Sequence, residues 1–134
     1  MRLLLTLIAL LAANSAMAAK VVDVFDCDFK KSRPMLSQKL MIIEDAPGQY
    51  LVMDGMIHAR EGEPLRVEVL EDGQKKLVLR WFLIVPDRTG TQAKLAYRLA
   101  YFKTSQKVNI SVQAMGFTNQ TNNRGTCTIT KMKF

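Results

Sequence analysis

The sequence predicts an all-β domain: a small antiparallel meander of about eight strands, forming a barrel or a two-sheet sandwich and closed by one disulfide. Three observations carry that expectation. Residues 76–85 (KLVLRWFLIV) make the longest apolar run outside the N-terminus and hold the only tryptophan, Trp81, between turn residues on either side. The run is too short to span a bilayer and rich in β-branched and aromatic residues, as a buried strand should be. Shorter runs on both sides alternate apolar and polar residues, as strands lining one core should. The two cysteines, Cys27 and Cys127, stand near the two ends of the chain, where a bridge would tie the first strand to the last.

Taken in order, residues 1–18 read as a cleaved signal peptide and residues 19–134 as a single β domain. Arg2 gives a positive start, residues 3–13 an apolar stretch, and Ala16-Met17-Ala18 a small-residue cleavage site. The stretch falls short of the ~20 residues that a helical span needs. A membrane-spanning protein is therefore not expected, and the periplasm or the extracellular space is the expected location. Cys27 lies well past the cut, so no lipid attachment is expected there.

Residues 20–29 alternate loosely and read as the first strand, followed by a basic loop at 30–34. Residues 38–44 (QKLMIIE) form the second, closed by the turn sequence Asp45-Ala46-Pro47-Gly48. Residues 49–59 (QYLVMDGMIHA) read as a third strand, with Gly55 marking a bulge or a close backbone approach. Residues 65–69 alternate cleanly, and Asp72-Gly73 supports a tight turn into the central run. Residues 92–103 (QAKLAYRLAYFK) fit a strand or a helix; with no capping sequence and strands on both sides, a strand is expected. Residues 107–114 place Val108, Ile110, Val112 and Ala114 on one face. Residues 116–125 read as a polar loop, and 126–133 as the last strand, with Cys127 and Ile129 inward.

The chain carries 19 Lys and Arg residues against 12 Asp and Glu, and loss of Arg2 with the leader leaves 18 − 12 = +6. The basic residues are spread along the sequence rather than run together, which reads as a solvated basic surface. Such a charge favours an acidic protein or a cell-envelope component as partner; nucleic acid is not expected. Catalytic chemistry is thinly supplied. His58 is the only imidazole, and no cofactor is expected. Asp54 precedes it by four residues, so in a strand the two would share a face. Asp23, Asp26 and Asp28 lack the glycine-bearing loop that wraps calcium and read as solvated charges beside the disulfide.

Small size, an export signal and an end-to-end cysteine pair together resemble the general plan of the small periplasmic β-barrel inhibitors of lysozyme and of proteases. None of their motifs stands here, so no residue role is carried over. The functional expectation is a non-enzymatic binding or inhibitor-like module acting through loops or a barrel mouth. The irregular polar stretches at 30–34, 86–90 and 119–125 supply its candidate binding residues: Lys31, Arg33, Arg88, Asn119, Asn122 and Arg124. The alternatives are a structural subunit of an envelope assembly, or a small hydrolase using His58 and Asp54.

Overall fold

The computed structural model describes residues 20–133; the expected signal peptide and its cleavage site lie outside the described residues. Nine strands form one antiparallel sheet: β1 (Val21–Asp28), β2 (Lys39–Ala46), β3 (Gln49–Asp54), β4 (Leu65–Arg66), β5 (Glu68–Asp72), β6 (Lys76–Pro86), β7 (Gln92–Phe102), β8 (Lys107–Ala114) and β9 (Gln120–Lys133). Their order across the sheet is β4-β3-β2-β1-β9-β8-β7-β6-β5. The two edges, β4 and β5, are successive pieces of chain separated by Val67 alone. The Val67 amide donates to the Tyr50 carbonyl at 3.2 Å, and the Tyr50 hydroxyl donates to Asp72 across the seam at 3.0 Å. The sheet is thus a nearly closed barrel, which decides against the sandwich. The count exceeds the expected eight because residues 65–72 pair with β3 first and with β6 after Val67.

Alternation explains the wall. Leu77, Leu79, Trp81 and Leu83 of β6 point inward, opposite Tyr101, Leu99, Tyr97 and Leu95 of β7. Trp81 stacks on Tyr97 with centroids 5.3 Å apart, and Phe25 meets Tyr101 edge-on at 5.1 Å. Each aliphatic side chain so buried contributes about 1.5–3 kcal/mol. Residues 92–102 are therefore a strand, because every second side chain fills the core. β1 lies beside β9 with Cys27 opposite Cys127, and the two form a disulfide.

Three expectations change. The strand expected over 49–59 stops at Asp54, and α1 (Gly55–Glu61) follows. The Asp54 side chain accepts from the Ile57 amide at 2.8 Å, and Gly62 takes the left-handed conformation (φ 72°) that ends the helix, donating to the His58 carbonyl. An Asp N-cap and a Gly C-cap outweigh the strand-like look of Met56 and Ile57. Ile57 is fully buried and helps close the barrel end.

The loop expected over 116–125 is short, because β9 begins at Gln120. Its polar residues reflect a solvent-facing strand. Ile129 is exposed rather than inward-packed. The reason is a step in β9: residues up to Thr126 pair with β8, and residues from Thr126 onward pair with β1. Past the step, Ile129 has a strand on one side only.

Candidate functional site

The step in β9 leaves residues 120–125 without a strand on their second side, and the β1–β2 connection fills that place. Phe29 donates its amide to the Gln38 carbonyl at 2.8 Å, which starts the excursion. Tyr97 then donates its hydroxyl to the Met35 carbonyl at 2.8 Å, drawing the connection across the barrel end. Asn123, a polar side chain turned into the protein, donates to the Lys31 carbonyl at 2.8 Å and accepts from the Arg124 amide at 3.0 Å. Gly125 lets the two backbones touch: a Cβ there would collide with the Asp28 carbonyl and the Phe29 ring.

These pins build a cleft of about 880 Å³, lined among others by Lys30, Lys31, Arg33, Lys107, Asn109, Asn122 and Arg124. Its size falls within the range of ligand-binding pockets. A shallower depression of about 290 Å³ continues it over β8 and β7 to Arg98 and Ser111, sharing Asn109, Asn122, Asn123 and Arg124. Arg98 stands opposite Ser111, which stands opposite Asn122, so these side chains form one row across three strands.

The charges of this wall are gathered rather than neutralised. Away from it, five cations sit on carboxylates: Arg66 on Asp45, Arg80 on Glu68, Lys76 on Glu71, Lys103 on Asp72 and Lys131 on Asp23. Arg60, Lys75, Arg88 and Lys94 are spread singly. The hydrogen-bonded Arg66 guanidinium holds the Asp45 carboxyl below the usual carboxylate range. The one carboxylate lining the cleft, Asp28, is bound by Lys39 at 2.6 Å; that hydrogen bond raises the Lys39 ammonium. Among the described residues, Lys30, Lys31, Arg33, Arg98, Lys107 and Arg124 pair with no carboxylate. What remains is a concave positive surface with amides and hydroxyls between the charges. It can hold an anion by charge-assisted hydrogen bonds.

Four of the six residues expected to bind, Lys31, Arg33, Asn122 and Arg124, line this cleft together. Arg88 does not join them. It sits in the turn after β6, where Asp87 accepts from the Thr89 and Thr91 amides and from the Thr89 hydroxyl. Those bonds hold the Asp87 carboxyl low. The cleft lies at the other end of the eleven-residue β6–β7 ladder, about 33 Å away at 3.3 Å per residue. Asn119 is exposed just before β9 and also lies outside the lining. Asp54 and His58 do not share a strand face: Asp54 caps α1, and His58 is exposed in its last turn. Burial raises the Asp54 carboxyl against the pull of the Ile57 and Met56 amides and Ser37. Among the described residues, no three His, Cys, Asp or Glu side chains gather as a metal site would need.

Lys107, Asn109, Arg98 and the structural pair Asn123 and Gly125 were not among the six binding candidates of the sequence. One signal points to them: none of the 12 acidic residues lies beyond Asp87. The last three strands therefore carry no carboxylates of their own to pair with their cations. Comparison with protein-family models, with curated proteins and with solved structures finds no match for this chain.

Proposed function

We propose that this chain is a non-enzymatic binding module of the periplasm or extracellular space, inhibitor-like in plan, whose cleft receives carboxylates or phosphates of an acidic partner. One observation supports the reading: cations from three separate segments converge on a concave surface whose single carboxylate, Asp28, is taken by Lys39. A basic surface kept only for solubility has no need of concavity or of a buried asparagine pinning its loop. The cleft has one partly buried aromatic ring, Phe102, and so lacks the stacking platform that single-stranded nucleic acid uses.

The test is binding of poly-glutamate as a carboxylate probe and inorganic polyphosphate as a phosphate probe, followed by calorimetry over a range of salt. Lys31→Gln, Arg33→Gln and Arg124→Gln together should weaken binding by about a hundredfold, at roughly 1 kcal/mol per charge. Arg88→Gln should leave it unchanged. Equal weakening by both variants would mean net charge alone attracts the probe, and the cleft would lose its role. The relative strength of the two probes assigns the anionic group of the partner.

A further inference from the structure

At the end of the wall opposite the cleft lies an apolar patch without a partner. Phe82 and Ile84, on the outer face of β6, are 38% and 55% exposed; Met115 and Phe117, between β8 and β9, are 55% and 67% exposed. The register brings them together. Phe82 stands opposite Ala96, and Ala96 opposite Gln113, a distance of two strand spacings or about 10 Å. The Gln113 side chain donates its Nε2 to the Phe117 carbonyl at 2.6 Å, and the Met115 backbone amide donates to the Lys94 carbonyl at 2.8 Å. The tip is thus fastened to β7 beside Lys94, whose ammonium lies over Phe82, and to the outward-facing Gln113 side chain.

Cations surround the patch. Lys94 lies over the Phe82 ring at 4.6 Å and Arg80 at 5.8 Å from its centroid. Arg98 stands opposite Arg80, and Arg88 follows Ile84 in the next turn. The acids nearby are engaged: Glu68 by Arg80 and Asp87 by its own turn.

We propose that this patch docks the protein peripherally on an anionic lipid surface. Phe117, Met115 and Ile84 enter the headgroup boundary, and Lys94, Arg98 and Arg88 meet the anionic headgroups. Single exposed apolar residues are ordinary, but four on one contiguous patch call for a partner that excludes water. Apolar tips inside a ring of cations match an interface that is apolar in depth and negative at its surface. A second copy fits poorly, since a face with no acidic residue beyond Asp87 would set Lys94 and Arg98 against their own likes. An acidic protein surface would answer the cations but leave Phe117 against hydrated carboxylates. The patch shares Arg98 with the depression beside the cleft, but the proposal does not depend on what the cleft binds.

The experiment is co-sedimentation of the processed protein, its mass confirming loss of the leader, with two kinds of vesicle. One kind is phosphatidylcholine alone, and the other is phosphatidylcholine mixed with phosphatidylglycerol. Partitioning should occur on the mixed vesicles and fall sharply on the neutral ones. Phe117→Ser, in a connection that leaves the barrel intact, should lower the partition coefficient about tenfold. Lys94→Gln should lower it about fivefold, and Arg124→Gln by less than about twofold. Near-ultraviolet circular dichroism of each variant checks the fold. Equal binding to both vesicles, or none to either, overturns the proposal. So does a loss with Arg124→Gln as large as with Phe117→Ser, which would assign the lipid to the cleft. Self-association without lipid that Phe117→Ser abolishes would assign the patch to a second copy. Poly-glutamate binding that Phe117→Ser abolishes would assign it to an acidic protein.

Discussion

The two halves of this barrel treat charge in opposite ways. Along strands β1 to β6, acids and bases ion-pair: Arg80 with Glu68, Arg66 with Asp45, Lys39 with Asp28. The β1–β2 connection with Lys30, Lys31 and Arg33 is the exception and belongs to the cleft. From β7 to the start of β9, acidic residues are absent from the sequence; Lys103 reaches back to Asp72, while Lys94, Arg98, Lys107 and Arg124 pair with no carboxylate. Exposed ion pairs contribute little to stability, so the paired half gains little strength from its carboxylates. What the pairs remove is attraction for outside anions. The contrast teaches that the placement of carboxylates, more than the number of cations, decides where the surface stays positive.

The largest way to break the comparison is to cut the covalent link between the halves. Replacing Cys27 and Cys127 by serine opens a bridge spanning 100 residues and should cost about 4 kcal/mol, read as a fall in thermal midpoint. Both charge patterns would survive in the folded fraction. Next is Gly125→Ala, whose methyl meets backbone on the facing strand. It should cost about 1–3 kcal/mol and also weaken poly-glutamate binding, because the connection carrying Lys31 and Arg33 must move. A stability loss with full binding would show that the cleft does not need that close approach.

A smaller effect concerns pH. Burial raises Asp54 above its usual value, so its ionised form costs stability that is absent below the unfolded value of about 3.9 and complete above the folded value. Asp54→Asn keeps a capping side chain and removes that cost. The variant's gain in thermal midpoint over the parent should grow as pH rises through that interval and then level off. A gain that shrinks with rising pH would contradict the sign. The smallest stability effect is expected from Asn109→Asp, which places a carboxylate opposite Arg124. It should change stability by less than about 0.5 kcal/mol yet weaken poly-glutamate binding about tenfold. It would make the free half resemble the paired half at one point.

Much of the fold was legible because alternation is a local signal. The run around Trp81 and the 107–114 strand declare their faces residue by residue, and each has a neighbour on both sides to make the pattern matter. The two cysteines declared their pairing because they were the only two. The helix after Asp54 was hidden, since Met56 and Ile57 fit a strand and the evidence lay in two caps, Asp54 and Gly62, read only together. Residues 120–125 looked like a loop because a strand facing water with a connection at its edge has no need of apolar residues. Of the cleft, the long-range partners were the illegible part. Asn123 and Lys31 are far apart in sequence, and nothing local in either announces that the fold will join them.

The pairing of β1 with β9 also sets the order of events when the chain is made. The chain emerges N-terminus first, so β1 can zip onto β2 at once, while its other edge waits for β9 to appear. Pairings between chain ends are slow to form, because a long loop must close before any contact rewards it. Throughout that wait Cys27 is a thiol with no mate in its own chain, and the one hazard it meets is a cysteine of another molecule. Having only two cysteines makes the final oxidation free of internal choice: once β9 docks, the sole bond left to make is the correct one, and making it locks a barrel whose last strand arrived late.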